Sequence, residues 1–172
     1  MAKRFPKFTP IGKKRVKTRM RKWAELTPAQ RALIQRSRHY LYELLSSLDR
    51  SPDNYSMIHA DLHAWNLLIE DDQVTVIDFD DAGFGWHIYE TAVSLFSIAG
   101  RPDADRIRDA YVEGYRAERS MTDATLDLLP LFCLLRAIAL LGWIHHRREL
   151  DLRKQLGRLI TMVTEQAETL LP

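Results

Sequence analysis

Residues 59–66 read His59-Ala60-Asp61-Leu62-His63-Ala64-Trp65-Asn66, and residues 77–81 read Ile77-Asp78-Phe79-Asp80-Asp81. Between them stand Leu67-Leu68-Ile69, the polar turn Glu70-Asp71-Asp72-Gln73, and Val74-Thr75-Val76-Ile77. Two short runs rich in branched side chains around a polar turn form the pattern of a β-hairpin. A hairpin returns its two ends to one place. It therefore predicts that Asp61, Asn66 and Asp78 surround one small volume. Four carboxylates in this stretch (Asp61, Asp78, Asp80 and Asp81) would repel one another unless a cation relieved them.

One chemistry asks for this set. In phosphoryl transfer a carboxylate takes the proton of the attacking hydroxyl, while an amide oxygen and a second carboxylate hold the Mg²⁺ that bridges the phosphates. In the kinase catalytic loop H-R-D-x-x-x-x-N the Asp and Asn are five apart, as Asp61 and Asn66 are here, with His59 two before the Asp. Asp78-Phe79 takes the place of D-F-G, with Asp80 where glycine would stand.

Outward from this segment the chain reads as helix. Thr27-Pro28-Ala29-Gln30 is a capping box with proline at the first helical position, and Ile34, Leu41, Leu45 and Leu48 follow at helical spacing, which predicts a helix over 28–49. Tyr55–Ile58 reads as a short strand and Ala82–Gly85 as a loop. Helices are predicted over 87–98, 103–119, 123–149 and 151–170, with Trp143, Leu140 and Leu141 in the core. The apolar stretch Leu126–Ile144 carries Asp127, Pro130 and Arg136, which favours a buried helix over a membrane span.

With 172 residues, 46% hydrophobic and 28% charged, the chain has the length and composition of one globular domain, which excludes wholesale disorder. Cys133 stands alone, so no internal disulfide framework exists, and a reducing, cytoplasmic setting is expected. The basic start is not followed by an apolar stretch, so no signal peptide is read there. The net charge of +2 conceals an asymmetry: residues 1–22 hold ten of the 25 basic side chains and no acid, leaving 15 basic and 23 acidic in the rest, a net of −8. Residues 1–22 are therefore expected to be a basic, unstructured arm. Such an arm is either a solvated extension or a contact for nucleic acid or an acidic surface.

Together, His59–Asn66 and Ile77–Asp81 resemble the catalytic lobe of the aminoglycoside phosphotransferase, choline kinase and homoserine kinase group. That group's pattern is roughly H-G-D-x-H-x-x-N followed by an I-D-F/W-D/E segment. The resemblance implies a mainly α (α+β) fold over 23–172, a protein-kinase-like C-terminal lobe in which a helical bundle carries a small β-hairpin. It implies transfer of the ATP γ-phosphoryl group to a hydroxyl of a small molecule. By the same resemblance Asp61 is the catalytic base, Asn66 and Asp78 are Mg²⁺ ligands, Asp80 supports the site, and His59 and His63 shape the loop.

Three departures accompany the resemblance. Ala60 stands where the group has glycine, which matters only if that position needs a positive φ. Gly85-Trp86-His87-Ile88-Tyr89-Glu90 stands where many members read G-D-P followed by Asp, so that Glu90 keeps one carboxylate and the first acid is lost. The third is the amino-terminal lobe: the sequence has no G-x-G-x-x-G, no G-x-x-x-x-G-K-[ST], and no lysine from Trp23 to Arg153. No nucleotide clamp is read from it. The expectation is a weak or inactive enzyme on its own, completed by a separate amino-terminal lobe or by self-association.

Two other readings compete. On a strand, His59, Asp61 and His63 would share a face and bind a metal for hydrolysis. Alternatively the body is a non-catalytic scaffold that binds through its basic arm.

Overall fold

A computed structural model describes residues 26–147 and 152–172, so the basic arm read over 1–22 lies outside the described residues. The first described helix, α1, spans Pro28–Ser47. Its start is the expected capping box: Thr27 Oγ1 accepts from the Gln30 N–H at 3.2 Å, and Gln30 Oε1 accepts from the Thr27 N–H at 3.0 Å. Its buried stripe is Ile34, Ser37, Leu41 and Leu45, and the chain turns extended at Leu48.

The middle of the chain holds two two-stranded antiparallel sheets. Strands β2 (Leu67–Glu70) and β3 (Gln73–Val76) form the predicted hairpin, with Leu67 opposite Val76 and Glu70 opposite Gln73. The turn is tighter than the sequence suggested. Only Asp71 and Asp72 lie outside the ladder, and Asp71 takes φ 51°, a left-handed value that aspartate tolerates. Strand β1 (Tyr55–Ile58) pairs with β4 (Gly83–Trp86), a segment that local composition reads as a loop. Gly85 has a packing reason. A Cβ on Gly85 would sit 2.5 Å from Ile58 Cδ1, so the bare backbone is what lets the Ile58 side chain lie across the pair.

Among the described residues, four helices and a single helical turn follow: α2 His87–Phe96, α3 Ala104–Glu118, the short α4 Asp123–Leu126, α5 Leu129–His146 and α6 Arg153–Leu170. The continuous helix expected over 123–149 is instead broken at residues 127–128. Pro130 lies in the first turn of α5, the one place where its missing N–H leaves no helical bond unmade. Helix α5 packs against α1, α2 and α6, and its buried Phe132, Leu134 and Leu141 join Ile34, Val93 and Val163 in one core. Its span, with α4, is long and apolar enough to cross a membrane by length and composition alone. Here it is the central core helix, apolar nearly all round because neighbours cover it on three sides. The mainly α (α+β) expectation matches what is seen.

Candidate active site

The loop after β1 is anchored from behind by helix α2. Glu90 uses both carboxylate oxygens: Oε1 accepts from the His59 N–H at 3.0 Å and Oε2 from the Ala60 N–H at 2.7 Å. Burial pushes the Glu90 carboxyl above the usual range, opposed by the two backbone bonds from Ala60 and His59. Between these anchors the backbone reverses. Ala60 is fully buried with φ 67°, so this position does require the left-handed conformation that glycine adopts at no steric cost. Ser94 of α2 adds a third tie, donating to the Leu62 carbonyl at 2.8 Å.

His59 locks the loop to the far side of the hairpin. Its Nδ1 accepts from the Asp61 N–H at 3.3 Å, which assigns the proton to Nε2, and Nε2 donates to the Ile77 carbonyl at 2.8 Å. Its ring rests on Phe79 with centroids 4.7 Å apart. β1 ends at Ile58, so the strand alternation that would align His59, Asp61 and His63 for a hydrolytic metal is not there. Among the described residues no three His, Cys, Asp or Glu side chains gather to hold an ion.

Asn66 closes a short 3₁₀ turn, Ala64–Asn66, and is itself buried. Its Nδ2 donates to the Asp61 carbonyl at 2.9 Å, and its own carbonyl accepts from the Ile77 N–H at 3.0 Å. That second bond extends the hairpin ladder by one rung and sets Asp78 directly after Asn66's partner. Asp78 then takes φ 64° and ψ 64°, a left-handed conformation that starts the 3₁₀ turn Phe79–Asp81. Asp78, Asp80 and Asp81 are all exposed. The structure thus brings Asp61, Asn66 and the start of the Asp78 segment together, with Asp80 one residue into the following turn.

Asp61 has a partner that the sequence reading missed. Arg136, buried in the middle of α5, donates from a terminal guanidinium nitrogen to Asp61 Oδ1 at 2.6 Å. His63 Nε2 lies 3.5 Å from the other oxygen, Oδ2, and His63 Nδ1 is buried with no partner among the described residues. The signal was present in the sequence, since an arginine inside an apolar helix is rarely buried unless paired. Its partner was not readable, because 75 positions separate the two residues. Trp143 also departs from expectation. Instead of joining the core it is 46% exposed and lines a cavity of about 350 Å³ with Asp61, His63, Trp65, Phe96 and Arg136. This opening gives a small molecule access to the Asp61 carboxylate.

The chain matches the phosphotransferase enzyme family over residues 3–124. It is 28% identical over 116 residues to the amicoumacin kinase of Bacillus subtilis strain 168, covering 62% of this chain and 34% of that protein. An uncharacterised protein of Deinococcus radiodurans is 34% identical over 110 residues, covering 61% of this chain and 32% of the relative. Among solved structures, an amicoumacin kinase in complex with AMP-PNP, Ca²⁺ and Ami superposes with a TM-score of 0.69 at 26% identity, covering 82% of this chain and 46% of that one. A microcompartment-associated aminopropanol kinase gives a TM-score of 0.67 at 32% identity, covering 82% and 44%. The chain therefore spans about a third of the curated relatives' length and less than half of the solved chains'.

Proposed function

Because this chain belongs to the phosphotransferase enzyme family, we propose that it is the acceptor-side lobe of an ATP-dependent kinase acting on a hydroxyl of a small amino alcohol. The observation that carries the reading is one hydrogen-bonded unit. Asn66 is tied through Nδ2 to the Asp61 carbonyl at 2.9 Å and through its own carbonyl to the Ile77 N–H at 3.0 Å. Base, amide and the residue before the second carboxylate are thereby fixed to one another. In this reading Asp61 accepts the acceptor's hydroxyl proton on Oδ2 as the oxygen–phosphorus bond forms and ADP leaves. His59 and His63 shape the loop, and Asp80 supports the acidic side of the site.

The donor set suits a hard divalent cation. With Nδ2 committed, Oδ1 of Asn66 is the atom left to ligate, and Asp78 supplies a carboxylate. Two protein oxygens are too few for a complete shell, which fits Mg²⁺, an ion that relies on nucleotide phosphates for further ligands. Bound there, the ion would neutralise charge developing on the phosphates. An amine on the acceptor is favoured by the indoles of Trp65 and Trp143 and by Asp81 around the cavity, and by the likeness to an aminopropanol kinase. Activity of this chain by itself is expected to be weak, since the sequence holds no glycine-rich phosphate loop. A nucleotide-covering segment would have to supply that clamp, and the lone thiol suits a cytoplasmic setting.

Thermal melting with Mg²⁺ and ATP together tests this. Saturation a hundredfold above Kd would stabilise by about 2.7 kcal/mol, a rise of several degrees. That rise should vanish in Asp78→Ala and persist in Asp61→Asn. Phosphoryl transfer to 1-amino-2-propanol should fall about 10²- to 10⁴-fold in Asp61→Asn. A wild-type melting temperature indifferent to Mg²⁺ plus ATP overturns the proposal.

A further inference from the structure

We propose that Arg136 is a positioning residue for the transfer: by holding Oδ1 of Asp61 it dictates that Oδ2 meets the acceptor hydroxyl, and it does so from the helix face that walls the acceptor cavity. The inference rests on reading Asp61 as the base. Arg136 sits between Leu135 and Ala137, both buried, and is itself only 6% exposed. An arginine in such surroundings gains little stability over a well-packed apolar residue. Its Nε is buried without a partner among the described residues, so even the hydrogen-bonding of its own guanidinium is incomplete. What the residue does achieve is one short, charge-assisted bond, 2.6 Å, to one oxygen of Asp61. Among the described residues the other oxygen keeps only His63 Nε2 at 3.5 Å, beyond a good hydrogen bond, and is left for an incoming hydroxyl.

The helix supplies the coupling. Arg136, Ala139, Leu140 and Trp143 recur at i, i+3, i+4 and i+7, and all four line the same cavity as Asp61. A molecule pressed against this stripe therefore bears on the residue that aims the base. No neighbouring turn of α5 offers a second cation to Asp61 among the described residues.

The test compares Arg136→Gln and Arg136→Lys with Leu141→Ala, a core truncation on the same helix, in amide hydrogen exchange and in turnover. The lysine variant keeps the charge but loses the planar fork, so it separates charge from geometry. Arg136→Gln should speed exchange of the 59–66 amides at least tenfold while α1 and α6 keep wild-type rates, and Arg136→Lys should fall between. Transfer from Mg·ATP to 1-amino-2-propanol should drop in kcat about 100-fold with KM for ATP unchanged, and methylguanidinium should restore part of it to Arg136→Ala. Wild-type exchange in the loop, or equal acceleration in α1 and α6 as in Leu141→Ala, overturns the proposal. If the wild-type chain transfers nothing, the missing phosphate loop accounts for it, the proposed function is judged by the Mg²⁺–ATP melt, and the exchange pattern alone decides whether Arg136 positions the loop.

Discussion

Ala60 shows how much one backbone angle decides. With φ 67° and no exposure it holds the reversal between the two N–H groups gripped by Glu90. A left-handed residue with a Cβ costs about 1–2 kcal/mol. Ala60→Gly removes that strain but gives back roughly 0.4–1 kcal/mol in unfolded-chain entropy and about 0.8 kcal/mol for the buried methyl. Chemical denaturation should therefore place it within about 1 kcal/mol of wild type, whereas Ala60→Val, branched at a positive φ, should lose more than about 2 kcal/mol. A large loss in the glycine variant would mean that the alanine is not strained. Glu90 gives a pH-dependent counterpart. Burial raises its folded-state pKa above the unfolded one, so the native state binds the proton more tightly and its contribution is full below the ordinary carboxylate range and lost as pH rises through the raised value. Melts of Glu90→Gln should show a deficit that is largest in acid and narrows as pH climbs; a pH-independent deficit contradicts it. Cys133, whose thiol burial pushes up to about 11, should resist Ellman's reagent at pH 8 until the protein unfolds. The grouping of Asp61, Asn66 and Asp78 around one hairpin could be read from sequence because their spacing is local. Ala60's strain and Arg136's role could not, since φ at 60 answers to Glu90, 30 positions on, and Asp61 answers to a helix 75 positions on.

At the scale of elements, local chemistry decided what was readable. The α1 start was visible because both capping-box partners lie within four residues, and the hairpin because branched side chains flank a polar turn. β4 was hidden because Gly85 serves a contact with Ile58 across the sheet, a non-local reason that local propensity reads as a loop. The α4–α5 break was hidden because proline in a first turn leaves the apolar periodicity uninterrupted. The hairpin itself shows an unusual surface. Leu68, Ile69 and Val74 are 54%, 73% and 60% exposed, and Phe79 and Phe84 add to the same stretch of sequence as exposed aromatics. Apolar side chains concentrated on one small ribbon favour association. Ile69 and Val74 face each other in the ladder, so the double change Ile69→Lys, Val74→Lys places two like charges in register. Sedimentation of the wild type at rising concentration should show self-association that this variant reduces; a wild type monomeric throughout removes the argument.

For the whole molecule, the site and the hairpin belong to different levels of stability. The 59–66 loop is fastened to α2 by Glu90 and Ser94 and to α5 by Arg136, and both helices are built into the core around Phe132, Leu134 and Leu141. The hairpin projects from that body with every β3 side chain exposed. Opening the ribbon exposes little new apolar surface, whereas opening the loop must disturb the helices that hold it. Native-state hydrogen exchange should therefore find the Leu68–Thr75 amides exchanging through local opening, far below the global free energy, while the Asp61, His63 and Asn66 amides approach it. Leu141→Ala separates the two levels. Truncating a fully buried leucine should cost about 2–5 kcal/mol, and it should lower the protection of the loop by the same amount as that of α5 while leaving the hairpin's exchange unchanged. If hairpin and loop lose protection together, they form one cooperative unit, and the 59–66 loop is held by the ribbon as much as by the helical core.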